Sequence, residues 1–178
     1  MPRARPLHVR ASRPRGRRWR RIALALLSLP VIALTASSAV AKARTSGRQA
    51  SVRRLQGLAD AIRARLGIDR DVTVAIVPKN PYFVSVEAPT APGGAFVLRV
   101  EDRWRRRLAA DEMEAALAHE LGHVWIFTHH PYLQTELLAN QVAMRVVSRD
   151  ALVRVYDKVW ADGVKGDLTS FLGEADGQ

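Results

Sequence analysis

Two histidines four residues apart stand in the run Ala118-His119-Glu120-Leu121-Gly122-His123, inside a strong helical pattern of apolar residues. Residues four apart lie on one face of an α-helix, so His119 and His123 can offer two imidazole nitrogens to the same ion. Glu120 follows His119 directly and can reach a water on that ion without binding the ion itself. Two histidine ligands with an adjacent carboxylate as general base are the arrangement of a zinc hydrolase. The spacing therefore predicts a catalytic metal site on one helix.

A catalytic zinc ion takes a third ligand from the protein and leaves its fourth position open. His129, His130 and Glu136 all follow the motif. The two later histidines lie where the helix is ending, and a return from there to the same ion needs a very tight reversal. Glu136 lies at the next helix, whose antiparallel return can bring its first turn beside the ion. We therefore predict one zinc ion per chain, held by His119, His123 and Glu136.

Further side chains can support this site. Asn140 lies one turn after Glu136 on the same face and suits a role in orienting a ligand by hydrogen bonding. Several residues have the chemistry to stabilise a negatively charged substrate oxygen, and no motif chooses among them. They are Arg149, Tyr156, Tyr132 and His130.

The same residues carry a resemblance to a known family. The run Ala118–His123, followed by Glu136-Leu137-Leu138-Ala139-Asn140, resembles the paired signatures of gluzincin metallopeptidases. The preceding segment Leu108–Ala115 is similar to that of HtpX-like and CaaX-prenyl-endopeptidase-like enzymes. The short gap between the signatures looks more like the ImmA/IrrE-type peptidases or minigluzincins.

This resemblance covers roughly residues 72–147 and implies a zincin-like metallopeptidase domain. It implies zinc at His119, His123 and Glu136, and peptide-bond hydrolysis by a zinc-bound water whose proton Glu120 accepts. The multi-span membrane body of the HtpX-like enzymes is absent, since the chain has a single long apolar run. A peptide substrate is expected to add as a strand to an exposed sheet edge, from Tyr82–Glu87 or Ala95–Val100.

The pattern of the remaining chain predicts one α+β domain over residues 42–178. A small antiparallel or mixed sheet is expected to pack on the active-site helix and on the glutamate helix that follows. Residues 44–51 are polar and small, which favours a linker, and Asp111 with Glu114 can form a helix-capping pair. The predicted elements are a helix at Val52–Leu66, strands at Val72–Val77, Tyr82–Glu87 and Ala95–Val100 with the last two as a hairpin, helices near Asp111–Phe127, Tyr132–Val147 and Asp150–Trp160, and a short helical turn in Gly163–Gln178.

The N-terminal region has the composition of a targeting segment. Residues 1–21 hold nine arginines and no acid, and residues 22–41 carry no charge. Small residues at Ser38–Ala43 provide an A-x-A site, and cleavage after Ala41 fits a secretory signal peptide best. We therefore predict that residues 1–41 are a signal peptide or a single membrane anchor.

Other interpretations of this segment remain open. The apolar run is just long enough to span a bilayer, so it can act as an uncleaved anchor with the arginines held inside. The pair Arg17-Arg18 is also typical of a twin-arginine export signal, although the flanking residues match that signal poorly. A buried core helix with a basic tail leaves the A-x-A site unexplained. The favoured interpretations place the domain outside the cytoplasm, either periplasmic, secreted or anchored by residues 22–41.

Net charge and composition limit the functions that the chain can have. The chain of 178 residues has 28 Lys and Arg against 17 Asp and Glu, a net charge of +11. Removal of residues 1–41 leaves 19 basic against 17 acidic residues, so no nucleic-acid partner is predicted. The lack of cysteine excludes disulfides and thiolate zinc ligands. The leading hypothesis is an exported zinc metalloendopeptidase acting on a peptide or protein. The alternatives are a non-catalytic zinc-bearing binding or chaperone-like module and a basic protein acting on nucleic acid or membrane surfaces.

Overall fold

The computed structural model describes residues 30–163 and 166–174, with side chains from residue 45 onward. It confirms the predicted α+β class, since a three-stranded mixed sheet is combined with helices. In chain order the elements are α1 Pro30–Leu66, β1 Val72–Val77, β2 Val84–Glu87, β3 Phe96–Glu101, α2 Asp102–Arg105, α3 Ala110–His129, α4 Glu136–Ala143, α5 Arg149–Ala161 and α6 Leu168–Leu172.

The sheet has the strand order β1-β3-β2. β1 runs parallel to β3 with Val72 opposite Phe96, while β2 runs antiparallel to β3 with Val84 opposite Val100. The antiparallel pair confirms the predicted hairpin. Because β3 is central, the predicted strand Ala95–Val100 has no open edge, and of the two strands considered for substrate docking only β2 is an edge strand.

The core is formed where α3 packs between the sheet and the later helices. Leu117, Leu121 and Val124 of α3 are fully buried, at the three- and four-residue steps that place them on one face of the helix. Leu98 and Val100 of β3 are equally buried. The motif helix is therefore held rigidly by its surroundings, and its polar residues project from a fixed scaffold.

The closest helix pairing in the site lies between α3 and α4. A Cβ atom at Gly122 would overlap the carbonyl oxygen of Ala139 and lie 3.0 Å from the Ala139 carbonyl carbon. Only glycine allows the two backbones to approach this closely. This contact brings the first turn of α4 beside the histidines of α3.

We expect Gly122→Ala to lower the free energy of unfolding. Overpacking of a fixed backbone contact costs about 1–3 kcal/mol, which exceeds the gain of up to about 1 kcal/mol from better helix propensity. Thermal unfolding followed by circular dichroism should show a midpoint lower by several degrees, at about 2–4 °C per kcal/mol.

Gly57→Ala is the matched control for this prediction. Gly57 lies within α1 and a Cβ atom there would have no neighbour within 4 Å. Its replacement should keep or raise the midpoint through helix propensity alone. A Gly122→Ala midpoint at or above that of the wild type would contradict the role of the close contact.

Several predicted boundaries are wrong for identifiable reasons. Residues 44–51 are helical rather than a linker, and Arg48 within them donates to the carbonyl of Ile76. The helix predicted at Tyr132–Val147 is shortened to α4 because Thr135 Oγ1 accepts from the Leu138 backbone N–H and starts the helix there. The short helix α2 had no recognised sequence signal.

The predicted capping pair of α3 is also wrong. Ala109 occupies the N-cap, and Glu112 Oε2 accepts from the Ala109 backbone N–H at 2.7 Å. Glu112 is buried and pairs with Lys158 and Arg154 of α5. Asp111 Oδ1 accepts from the Glu112 backbone N–H, and Asp111 pairs with Arg154 of α5 rather than acting with Glu114 as a capping pair.

The chain divides into two compact units, Met1–Ala43 and Arg44–Gln178. In the first unit, residues 1–29 lie outside the described part of the chain and residues 30–43 have helical backbone. Over the described residues, none of the helices combines the length and the apolar character that a membrane crossing requires. The predicted signal peptide or anchor at residues 1–41 lies largely outside the described residues and stays a prediction.

Candidate metal centre

Three potential ligands converge where α3 meets α4. His119 and His123 lie one turn apart on α3, and Glu136 is the first residue of α4. His119 Nε2 lies 3.1 Å from Glu136 Oε2, and His123 Nε2 lies 3.6 Å from Glu136 Oε1. One ligand atom from each residue lies within 4.8 Å of the others. Ligands at about 2.0–2.1 Å from a tetrahedral zinc ion are about 3.3–3.4 Å apart, and the two histidine-to-carboxylate distances are close to this value.

Asn140 fixes the orientation of the first histidine. The fully buried Asn140 donates through Nδ2 to Tyr156 Oη at 2.7 Å and to the Phe171 carbonyl at 2.8 Å. Its Oδ1 therefore faces His119 Nδ1, 2.8 Å away, and must accept the proton of that nitrogen. The lone pair of His119 is then on Nε2, the nitrogen that faces Glu136.

Gln134 plays the same part for the second histidine. Its Nε2 donates to the His123 backbone carbonyl at 3.3 Å, which leaves Oε1 to accept from His123 Nδ1 at 3.2 Å. Both imidazoles are thus held as Nδ1–H tautomers with Nε2 directed at one point. This donor set of two neutral imidazoles and a carboxylate fits Zn²⁺.

Glu120 lies beside this group without belonging to it. The backbone N–H of Val86 in the edge strand β2 is directed toward the Glu120 carboxylate and acts to lower its pKa. Burial raises the pKa of Glu120 above its usual value, although the nearby histidines oppose the rise. A carboxylate held this way next to the ligands has the placement of a proton acceptor.

The ligand group itself is electrostatically coupled. When the rings are also protonated on Nε2, hydrogen bonds from His119 and His123 hold the pKa of Glu136 well below its usual range. Burial lowers the pKa of His123, but its hydrogen bond to Glu136 and the charges of Glu136 and Glu120 outweigh burial and raise that pKa. Glu136 is therefore ionised and able to bind a metal ion. The negative charges of Glu136 and Glu120 favour a cation among these side chains.

A cavity of about 540 Å³ adjoins the ligands. It is lined by His119, Glu120 and His123 of α3 and by Glu136 of α4. Most of its remaining walls are apolar, and they come from β2, α5 and the region of α6. The group of ligands is therefore reachable by a molecule much larger than water.

The four side chains considered for oxyanion stabilisation are dispersed. Tyr156 is buried, lines the cavity and lies with its ring centroid 6.2 Å from that of His119. Arg149 donates to the Gly173 carbonyl. Tyr132 is 97% exposed and does not line the cavity. His130 is exposed near Trp125, with ring centroids 5.9 Å apart, so Tyr156 alone of the four borders the ligand group.

His129 also stays away from the ligands. It stacks on Trp125 with ring centroids 4.2 Å apart and interacts with the Trp125 carbonyl through Nδ1. Within the described residues the sole cluster of His, Asp and Glu suited to a metal ion is the group His119, His123 and Glu136.

Some contributors to the site were not recognised from the sequence. Gln134 has a weak signal, its position two residues before Glu136. Val86 and Phe171 contribute backbone groups, which no side-chain pattern reports. These contacts join segments far apart in the chain.

No protein-family model matches this chain, and no curated protein matches it. Among solved structures, the chain is similar to the crystal structure of the metallopeptidase zymogen of Pyrococcus abyssi abylysin. The two are 18% identical, the match covers 61% of this chain and 94% of that chain, and the TM-score is 0.45.

Proposed function

We propose that the chain is a zinc-dependent metalloendopeptidase that hydrolyses peptide bonds with Glu120 as general base. The observation that carries this proposal is the convergence of His119 Nε2, His123 Nε2 and the Glu136 carboxylate. Each histidine has its other nitrogen held by a side-chain amide, and Glu120 stands beside the group. The export predicted from residues 1–41 would place the activity in the cell envelope or outside the cell.

The chain offers three protein ligands, the number that catalytic zinc sites use while keeping one position open. A zinc ion held by His119, His123 and Glu136 would lower the pKa of a coordinated water to about 7 and would polarise a substrate carbonyl. Glu120 would accept the proton of the attacking water and deliver it to the leaving amine. The nearby Val86 N–H of β2 favours the ionised carboxylate that this role requires.

β2 gives the substrate a place to bind. The N–H of Val86 reaches Glu120 and that of Val84 reaches the Tyr82 carbonyl, so neither points at β3. In an antiparallel pair, residues alternate between facing the partner and facing away. The carbonyls of Val84 and Val86 therefore lie on the open side of the edge strand, where an extended peptide can pair with them.

Metal removal tests this proposal on the wild-type protein. We expect one equivalent of zinc per chain by elemental analysis, and digestion of an unfolded protein such as reduced casein. A chelator should abolish the digestion, and added zinc should restore it. Zinc binding without digestion of any protein or peptide would instead favour the non-catalytic zinc-bearing module, and the absence of bound zinc would contradict both.

A further inference from the structure

The C-terminal segment Asp167–Gly173 packs close to the metal ligands without supplying one. It consists of α6 with the residue on either side, and Leu172 is buried beneath it. Phe171 lies against α5, with its ring centroid 5.1 Å from that of Tyr156. Arg149, the first residue of α5, donates through Nη2 to the carbonyl at the end of the segment at 2.7 Å. A helix of five residues is not stable by itself, so the segment keeps its shape only while it is docked.

The docked segment holds one side of the Asn140 amide. Asn140 Nδ2 has two protons, of which one reaches Tyr156 Oη at 2.7 Å and the other reaches the Phe171 carbonyl at 2.8 Å. Asn140 Oδ1 lies 2.8 Å from Nδ1 of His119. Both protons and the oxygen of this fully buried amide therefore have partners, and one of these partners belongs to the C-terminal segment.

The three partners of this amide differ in the hydrogen bonds that they can make. The Tyr156 hydroxyl and the neutral His119 ring can each donate or accept, so they tolerate the amide in either orientation. The Phe171 carbonyl can only accept, and a rotated amide would place Asn140 Oδ1 against it. The Phe171 carbonyl is therefore the group that directs Oδ1 toward His119. This orientation keeps the proton of His119 on Nδ1 and the lone pair on Nε2, where a metal ion can use it.

We propose that docking of the C-terminal segment controls the metal affinity of the site, because it fixes the Asn140 amide and through it the tautomer of His119. This inference rests on the zinc binding of the proposed function. When the segment undocks, the amide is free to rotate. Asn140 Nδ2 can then donate to His119 Nδ1, which leaves the ring proton on Nε2 and blocks the metal ligand. Coupling between two equilibria is reciprocal, so bound zinc holds the segment in place by the same factor by which docking raises zinc affinity.

The second histidine does not depend on this segment. Gln134 Oε1 lies 3.2 Å from His123 Nδ1, and Gln134 Nε2 donates to the His123 carbonyl at 3.3 Å. Both contacts join α3 to the connection that precedes α4. Undocking of the C-terminal segment should therefore weaken zinc binding without abolishing it, since His123 and Glu136 keep their places.

Amide hydrogen exchange of the intact wild-type protein tests the coupling without any substitution. Backbone N–H groups of the segment donate within it, as that of Gly173 does to the Thr169 carbonyl at 2.9 Å. We expect exchange of these amides to slow about 10- to 100-fold when zinc is bound, the range over which an outer hydrogen-bond partner changes metal affinity. The end of α1, where the Ile68 N–H donates to the Arg63 carbonyl, is the internal control and should exchange at the same rate with and without zinc.

Leu172→Ala should undock the segment and lower zinc affinity about 10-fold, measured by competition with a chromogenic chelator. Leu66→Ala is the matched control, because Leu66 is a similarly buried leucine at the end of α1 that does not line the cavity beside the ligands. It should keep the wild-type zinc affinity. Arg149→Ala removes the hydrogen bond to the Gly173 carbonyl and should act as Leu172→Ala does, while Arg149→Lys should restore part of the affinity. The Arg149 pair replaces Leu172→Ala if that variant does not fold.

Asn140→Asp separates the proposed mechanism from a general loss of stability. A carboxylate accepts from His119 Nδ1 through either oxygen, so the tautomer no longer depends on the Phe171 carbonyl. In the Asn140→Asp background Leu172→Ala should therefore leave the zinc affinity unchanged, whereas it lowers the affinity about 10-fold in the wild-type background. Equal losses in the two backgrounds would overturn the inference.

The outcomes separate this inference from the proposed function. Equal zinc affinity in the wild type and in Leu172→Ala, or exchange in α6 that zinc does not slow, would overturn the coupling and leave the peptidase assignment standing. A wild-type protein that binds no zinc would contradict both. Coupling without cleavage of any peptide would support this inference and favour the non-catalytic zinc-bearing module.

Discussion

Replacing Glu120 by Gln is expected to reduce kcat for peptide hydrolysis by about 10²- to 10⁴-fold, the range that a general base contributes. Glutamine has nearly the same shape but cannot accept a proton at neutral pH. Glu120 does not belong to the ligand group, so the variant should retain the full zinc content of the wild type. The measurement is a peptide-cleavage rate at saturating substrate together with elemental analysis.

Glu114→Gln is the control for the loss of a carboxylate on the same helix. Glu114 pairs with Arg65, with Arg65 Nη1 3.1 Å from Glu114 Oε1, and does not line the cavity. This partly exposed ion pair contributes little to stability, so activity should stay near that of the wild type. Full activity in the Glu120→Gln protein would refute the general-base assignment.

Glu136→Ala should release the metal while leaving the fold intact. The Glu136 side chain is 50% exposed, so its loss leaves no buried cavity. It supplies the sole carboxylate of the ligand group, and the two histidines would then have to hold the ion alone. We expect zinc affinity to fall by more than the roughly 10- to 100-fold that loss of an outer hydrogen-bond partner costs.

The control for this variant is His130→Ala. His130 was considered as an alternative third ligand from the sequence, and it lies exposed beside Trp125. Competition with a chromogenic chelator should give wild-type affinity for His130→Ala and greatly weakened affinity for Glu136→Ala. The reverse order would assign the third ligand to the connection before α4.

Much of the candidate site could be predicted because its signals are local. The four-residue spacing of His119 and His123 is meaningful on any helix, and the apolar pattern around it required a helix. Glu136 followed from the length of the connection and the need for a third ligand. The succession of predicted strands and helices likewise indicated the α+β class with little dependence on tertiary context.

Other features could not be predicted because they depend on distant contacts. The start of α4 is an exception, because Thr135 is a favoured N-cap residue and offered a local signal that the predicted start at Tyr132 missed. The burial of Glu112 and its pairing with Lys158, far along the chain, have no signal in the residues around the start of α3. β3 is the central strand because β1 pairs with it in parallel, and this leaves β2 at the edge of the sheet. The residues of a single strand do not reveal which other strand it pairs with.

The sequence by itself determined the helix that carries two histidines and a glutamate on adjacent faces, because helical periodicity is a property of neighbouring residues. Only the tertiary structure decided how Glu136 meets them, through the backbone contact of Gly122 with Ala139. It also decided that Asn140 and Gln134 turn both Nε2 atoms toward that carboxylate. Such orientation needs groups from separate helices held within hydrogen-bond distance, which packing alone provides.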